Sequence, residues 1–273
     1  MTATHATIGL GIDAGGTFTD GAVVDLSRSR VLSKFKTATI KDDLPGSIRR
    51  CLEGLDPALL HECGLVSLST TFATNAIVEG KGARAGAVLL GYDRYDLDRV
   101  HAEHKVAVRG CHDIRGRELE PLDTRGLREA VRRLVGDDGV EALAISGMGG
   151  VLNPSHETEA LRIASDETGL PVVCGHELSM ELDAIRRANT AYFNARLLPV
   201  VVDLIRSVEA ELRSRGISAP LVVVRSDGSL MSSHEALTHP IHTIFSGPAA
   251  SAAGAVYLSG LRDAVLADIG GTT

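Results

Sequence analysis

Two short stretches of this chain carry the residue types and the spacing that phosphate chemistry needs. Gly11-Ile-Asp-Ala-Gly-Gly-Thr-Phe-Thr19 lies near the start, and Ala267-Asp-Ile-Gly-Gly-Thr-Thr273 lies at the end. In both, an apolar run that reads as a strand leads into Asp, one residue, Gly, Gly, Thr. A glycine pair lets a tight turn bring its backbone N–H groups against a phosphate, and threonine hydroxyls add donors to the phosphate oxygens. An aspartate at a strand end is placed to hold Mg²⁺ through water, because Mg²⁺ keeps several waters and takes few carboxylates. One such loop alone is also what an ordinary surface turn looks like. The duplication points to two related halves that clamp a nucleotide phosphate tail from opposite sides, so the two loops are expected on separate hairpins whose turns face one cleft.

Other chemical readings are weaker. Gly9, Gly11 and Ala14 mimic a dinucleotide-binding fingerprint, but that motif needs a helix directly after the glycines and an acidic residue roughly 20 positions on. Here Thr17 to Asp25 continues as strand, and Ser33, Lys34 and Phe35 stand where the acid belongs. Gly147-Met-Gly-Gly150 follows a strand and reads as a tight turn. Cys51, Cys63, Cys111 and Cys174 form no CxxC pair, so no zinc knuckle or redox motif is indicated. Cys111-His112-Asp113 invites a nucleophile reading, yet adjacency in sequence does not bring catalytic partners together. His101 and His104 have the spacing of one helical turn, without a third metal ligand, and are expected as solvated loop residues.

These residues need positioning elements, and the chain supplies them. Ile8 to Asp13 and Phe18 to Asp25 predict a β-hairpin. A helical pattern runs from Leu44 to Leu60, and Leu65 to Leu68 reads as a strand. Thr70 to Val78 reads as a helix capped by Ser69 or Thr70. A strand at Ala85 to Leu90 precedes an irregular, charged stretch from Gly91 to Pro121, expected to be a solvated loop. Next come a helix near Asp123 to Val135, a strand at Ala142 to Ser146, and a helix opened by Asn153 and Pro154 that runs toward Thr168. Pro171 to Cys174 is a short strand, Leu182 to Arg213 a long helix bent at Pro199, Leu221 to Val224 a strand, Ser246 to Leu258 a helix of small residues, and Ala264 to Ile269 a last strand. Strands alternating with helices predict an α/β fold, and the opening hairpin makes its sheet mixed.

The 273 residues, with 44% hydrophobic and 23% charged side chains, can bury a sizeable core. The net charge of −7 argues against nucleic acid and anionic membrane as partners, since both require clustered Lys and Arg. No apolar run reaches membrane-spanning length and Met1 to Ala6 lacks signal-peptide regions, which places the protein in the cytoplasm.

Beyond the loops, Ser69-Thr-Thr-Phe-Ala-Thr-Asn-Ala76, Gly82-Ala-Arg84, Asn153-Pro-Ser-His-Glu157 and Ser246-Gly-Pro-Ala-Ala250 follow one another along the chain. Together with the two DxGGT loops and Arg225-Ser-Asp-Gly-Ser-Leu-Met231, they resemble the successive signatures of hydantoinase A/5-oxoprolinase proteins over almost the whole chain. The resemblance implies the actin/hexokinase/Hsp70-like, ribonuclease H-like fold, with residues 1–180 as the N-terminal domain and 181–273 as the beginning of a hydantoinase A domain. It implies ATP and Mg²⁺ as cofactors. The implied reaction is ATP-dependent hydrolysis of a cyclic amide, hydantoin or 5-oxoproline type, through phosphorylation of the substrate carbonyl oxygen, with a hydantoinase B-like subunit or domain completing the work. Acetone and acetophenone carboxylase subunits are similar too, so a small ketone is the alternative substrate, and a catalytically silent nucleotide-binding module is a third reading.

Carried over to this sequence, Asp13 and Asp268 become the catalytic and metal-holding carboxylates. Gly15, Gly16, Thr17 and Thr19 form the first phosphate loop, and Gly270, Gly271 and Thr272 the second. Ser246 and Gly247 shape a helix N-terminus facing the nucleotide, while Thr70, Thr71, Thr74 and Asn75 line the substrate cleft. One departure stands out: the family often has a histidine before the threonine pair, where this chain has Leu68-Ser69. Family members also continue beyond the second loop through an adenine-binding portion, so a chain ending there is expected to fold yet to be inactive by itself. A homo-oligomer is compatible with the sequence.

Overall fold

The computed structural model describes residues 7–40, 43–93, 95–261 and 263–268. In chain order the elements begin with β1 (Ile8–Ala14), β2 (Phe18–Asp25), β3 (Arg30–Ala38), α1 (Leu44–Glu53), α2 (Pro57–His61), β4 (Leu65–Thr70) and α3 (Phe72–Val78). They continue with β5 (Ala85–Leu90), β6 (His104–Val108), β7 (Cys111–His112), β8 (Glu118–Glu120), α4 (Thr124–Gly136), β9 (Ala142–Gly147), α5 (Ser155–Thr168), β10 (Val172–Cys174) and α6 (Gly175–Leu178). The last are α7 (Ala184–Ser214), β11 (Leu221–Val224), β12 (Leu230–Ser232), α8 (Ser233–Thr238) and α9 (Ser246–Ser259). No helix among the described residues is long and apolar enough to cross a membrane.

The chain forms two compact units, residues 1–81 with 200–273 and residues 82–199. These cuts fall at other places than the 180/181 boundary read from sequence, because β11 takes its ladder partner from β4, far back in the chain, so residues 82–199 are inserted between parts of the first unit.

In the first unit the hairpin forms for the reason its pattern suggests. Leu10, Ile12, Ala14 and Val23 are buried, while Gly11, Asp13, Asp20 and Ala22 between them look out from the other face, the period-2 alternation of a strand. β1 and β2 pair antiparallel from Ile8↔Asp25 to Ala14↔Thr19, β3 adds to β2, and β4 runs parallel to β1 on the other side. The six strands lie in the order β12-β11-β4-β1-β2-β3, a mixed sheet as expected. Asp43 caps α1 by accepting from the Gly46 N–H at 2.9 Å, and α1 turns Ile48, Cys51 and Leu52 inward.

The second unit holds a four-stranded parallel sheet in the order β10-β9-β5-β6. β5 and β9 are buried along their whole length, as strands covered on both faces must be. Leu127, Val131 and Leu134 of α4 and Ala160 and Ile163 of α5 complete that core; truncating one of its leucines to alanine is worth about 2–5 kcal/mol.

Several expectations are corrected. The Leu44–Leu60 helix is two helices, broken at Gly54-Leu55-Asp56, with Pro57 starting the second. The 91–121 stretch is not one solvated loop: β6 pairs with β5, and Val108 is buried. His104 therefore sits on a strand, so it does not share a helical turn with His101. Helix α3 begins only at Phe72, with Thr71 at its N-cap and no side-chain capping bond, because Ser69 and Thr70 still belong to β4. Helix α5 has Pro154 at its N-cap, one residue later than expected. Residues 264–268 form no strand and Val265 is almost fully exposed; no described strand lies beside them to accept ladder hydrogen bonds.

At the C-terminal ends of β9 and β10 the second unit ties a buried polar knot. The Glu157 carboxylate accepts from Gly147 N–H at 2.7 Å, His176 N–H at 2.9 Å and His176 Nδ1 at 2.7 Å. The ligand atoms of Glu157, Cys174 and His176 lie within 4.8 Å of one another, both carboxylate oxygens are taken by these bonds, and burial pushes the Cys174 thiol pKa up. The three side chains brace one another. Arg187, fully buried, donates to the Gly147 carbonyl at 2.8 Å, and Tyr92 Oη donates to the Ala184 carbonyl at 2.7 Å.

The hydrogen bond to Glu157 raises the His176 pKa above its ordinary 6.5. A histidine whose folded pKa is raised contributes stability that is complete below the unfolded value and is lost as pH rises through the folded one. Unfolding free energy from urea titrations is therefore expected to fall as pH rises from about 6.5, and His176→Gln is expected to flatten that slope.

Candidate functional site

Between β1 and β2 the chain turns through Gly15, Gly16 and Thr17. The Gly15 N–H donates to the Phe18 carbonyl at 2.9 Å, and a Cβ on Gly15 would stand 2.8 Å from that same oxygen, so the turn closes only around glycine. Hydroxyls satisfy the neighbouring backbone groups. Gly16 N–H donates to Thr71 Oγ1 at 3.2 Å, Thr70 Oγ1 donates to the Ala14 carbonyl at 3.0 Å, and Thr39 Oγ1 donates to the Gly15 carbonyl at 2.8 Å. Because Thr39 has a single hydroxyl proton, its 2.8 Å contact with Thr19 is one that Thr19 donates. Thr19 is fully buried, so its hydroxyl braces the loop from beneath, whereas Thr17 is exposed at the turn.

Helix α9 starts against this loop. Ser246 Oγ donates to the Thr70 carbonyl at 2.9 Å and accepts from the Thr70 N–H at 3.1 Å, satisfying both backbone groups at the end of β4. Phe245, held in the left-handed region at φ 60, donates its N–H to Thr74 Oγ1 at 2.9 Å. A Cβ on Gly247 would lie 3.1 Å from the Thr71 methyl and 3.8 Å from Asp13 Oδ1, which measures how closely the helix start approaches the metal-holding candidate. No side chain caps α9, and the free N–H groups of a helix start favour anions.

The sheet register places Asp13 opposite Asp20 on β2 and opposite Ser69 on β4, and Asp20 opposite Lys36 on β3. All four line a cavity of about 660 Å³ whose floor is kept low by Gly11, Ala22 and Ser67. Ser69 Oγ donates to Asp13 Oδ1 at 2.7 Å. Burial raises the Asp13 pKa; the Ser69 bond opposes this, and the charges of Asp20 and Asp268 raise it further. Asp268, the aspartate of the second DxGGT motif, thus acts on Asp13 through its charge. Asp13 and Asp20, with Lys36 offsetting part of their charge, present hard oxygens of the kind that suit Mg²⁺.

The remaining sequence candidates divide. Gly270, Gly271 and Thr272 lie outside the described residues. Thr70 and Thr74 are buried with their hydroxyls committed to backbone groups, while Thr71 and Asn75 are half-buried, with Asn75 Nδ2 3.4 Å from Thr71 Oγ1. From sequence alone Ser69 reads only as a helix cap, and Thr39, Asp20 and Lys36 carry no role. Extending the alternation of Asp13 to its neighbouring strands would have put Asp20 on the same face, but Ser69, Thr39 and Lys36 needed the register.

Comparison with known proteins adds to this geometry. A family model described as the hydantoinase/oxoprolinase N-terminal region matches residues 9–168, and one described as hydantoinase/oxoprolinase matches residues 187–273. The caprolactamase subunit alpha of Pseudomonas jessenii is 29% identical, with 97% of this chain and 42% of that protein covered. The acetophenone carboxylase gamma subunit of Aromatoleum aromaticum is 27% identical, with 96% of this chain and 41% of that protein covered. The chain thus spans about two fifths of the length of these relatives. Among solved structures, nucleotide-free acetone carboxylase superposes with a TM-score of 0.79 at 22% identity over 92% of this chain and 40% of that one. The ATP-dependent caprolactamase of Pseudomonas jessenii superposes with a TM-score of 0.74 at 27% identity over 90% of this chain and 40% of that one. The fold is accordingly the actin-like α/β class with a mixed sheet.

An acid whose folded pKa lies above its ordinary 3.8 favours the folded state when protonated, so stability is lost as pH rises through that range and ionised Asp13 weakens the protein at neutral pH. Asp13→Asn keeps an acceptor for Ser69 and removes the charge. Its Tm at pH 7 is expected to rise by a few degrees, on the order of 1 kcal/mol, and calorimetry checks the sign.

Proposed function

Since the chain belongs to the hydantoinase/oxoprolinase family, we propose that it forms the phosphate-binding part of an ATP-dependent enzyme that phosphorylates the carbonyl oxygen of a cyclic amide. The observation that carries this reading is the convergence on Asp13 of a glycine turn, the start of α9 and a second motif's aspartate. An amide is a poor electrophile; phosphorylation of its oxygen gives an imidate with a good leaving group, which water then attacks.

In this reading the start of α9, set beside the glycine turn, holds and orients the phosphate tail. Asp13 and Asp268 would hold Mg²⁺, and when bound it would neutralise charge on the phosphates. Ser69 fixes the Asp13 carboxylate, and Thr71 and Asn75 face the substrate side of the turn. Gly270, Gly271 and Thr272 complete the clamp, and a hydantoinase B-like subunit finishes ring opening. Hydantoin, 5-oxoproline and caprolactam define the substrate class.

A second reading, the ATPase/kinase subunit of a ketone carboxylase, is favoured by the likeness to acetophenone carboxylase. Steady-state ATPase assays of the full-length protein with its partner subunit separate the two. Turnover stimulated by hydantoins or lactams supports the amidase; stimulation only by small ketones with bicarbonate overturns it in favour of the carboxylase; nucleotide binding without turnover overturns both. In the active system Asp13→Ala and Asp268→Ala are each expected to lower kcat more than tenfold, about 1.4 kcal/mol of barrier.

A further inference from the structure

A phosphate tail carries several negative charges, and the face it would meet here carries Asp13 and Asp20, with the charge of Asp268 also felt at Asp13. One divalent cation bridges only part of that repulsion, so a site of this kind calls for a fixed cation as well. The register supplies one. Lys36, Asp20, Asp13 and Ser69 form a single row across β3, β2, β1 and β4, about 4.8 Å from strand to strand, on the face that lines the cavity.

Lys36 Nζ lies 3.2 Å from both oxygens of Asp20 and 4.7 Å from the centroid of the Phe18 ring, at the residue where β2 leaves the glycine turn. The carboxylate and the ring aim the ammonium along the hairpin toward that turn. Lys34, the other lysine lining the cavity, is opposite Ala22 and so one residue pair, about 7 Å, further from the turn. The Lys36–Asp20 pair is also open to water, with side-chain exposures of 58% and 41%. Exposed pairs contribute little, so exchanging the carboxylate for a phosphate oxygen costs the protein almost nothing and gains a charge-assisted hydrogen bond.

We propose that Lys36 is the fixed cation that receives the phosphate tail, and that Asp20 is a positioning residue that holds Lys36 until phosphate displaces it. This rests on the nucleotide reading above, so the test includes a probe without a nucleoside. Mg-ATP, Mg-ADP and Mg-tripolyphosphate are titrated calorimetrically into the full-length protein as wild type, Lys36→Met, Lys36→Arg and Asp20→Asn, with thermal melts as the folding control. Lys36→Met is expected to weaken ATP and tripolyphosphate at least tenfold and ADP less, Lys36→Arg to restore most of the loss, and Asp20→Asn to tighten binding severalfold by removing the competing carboxylate.

Unchanged affinities in Lys36→Met overturn the assignment of Lys36. A tenfold loss in Asp20→Asn overturns the positioning role and makes Asp20 a cation ligand instead. Wild-type protein that binds tripolyphosphate in a Lys36-dependent way but ignores ATP upholds Lys36 and overturns the nucleotide reading. Wild-type protein that binds neither overturns both.

Discussion

A turn made of glycine backbone has polar groups that water cannot fully reach, and each of them needs a partner. Threonine and serine hydroxyls from three separate segments provide these partners: Thr39 for Gly15, Thr71 for Gly16, Thr70 for Ala14, and Ser246 for Thr70 itself. The geometry of the site depends on this set of bonds. An unpartnered buried group costs roughly 1–3 kcal/mol, so the turn, the end of β4 and the start of α9 hold their positions together or not at all.

The same economy of small side chains shapes the face below the turn. Gly11, Ala22 and Ser67 keep its floor low, and Gly247 lets α9 approach Asp13 without a Cβ between them. Charged residues are then concentrated in one row at the turn end of the sheet. The cost appears at Asp13, whose carboxyl pKa is raised by burial and by its acidic neighbours.

The second unit shows a different use of buried polarity. Its knot around Glu157 joins the ends of β9 and β10 to α5 and α6 through hydrogen bonds that leave no carboxylate oxygen free. A Cys-His-Glu group of this kind would suggest a metal from residue types alone. Here both carboxylate oxygens are already committed to N–H donors, and the group braces the elements that carry them.

The sequence by itself determined the hairpin, the alternation of strands and helices, the mixed sheet and the family. Each depends on local pattern, such as the period-2 run from Ile8 to Asp25, or on a motif that keeps its spacing. It also offered Asp13, Gly15, Gly16 and Ser246 as candidates, because motif spacing is read along the chain. Only the tertiary structure decided that Thr19 bonds Thr39 beneath the turn, that Ser69 holds Asp13, and that Lys36 stands in the same row. Those facts follow from which strands lie side by side, and pairings such as β4 with β1 and with β11 join residues about 55 and 155 positions apart in sequence. Strand register is set by the burial of whole faces and not by any one segment, so no reading of a single stretch could have supplied it.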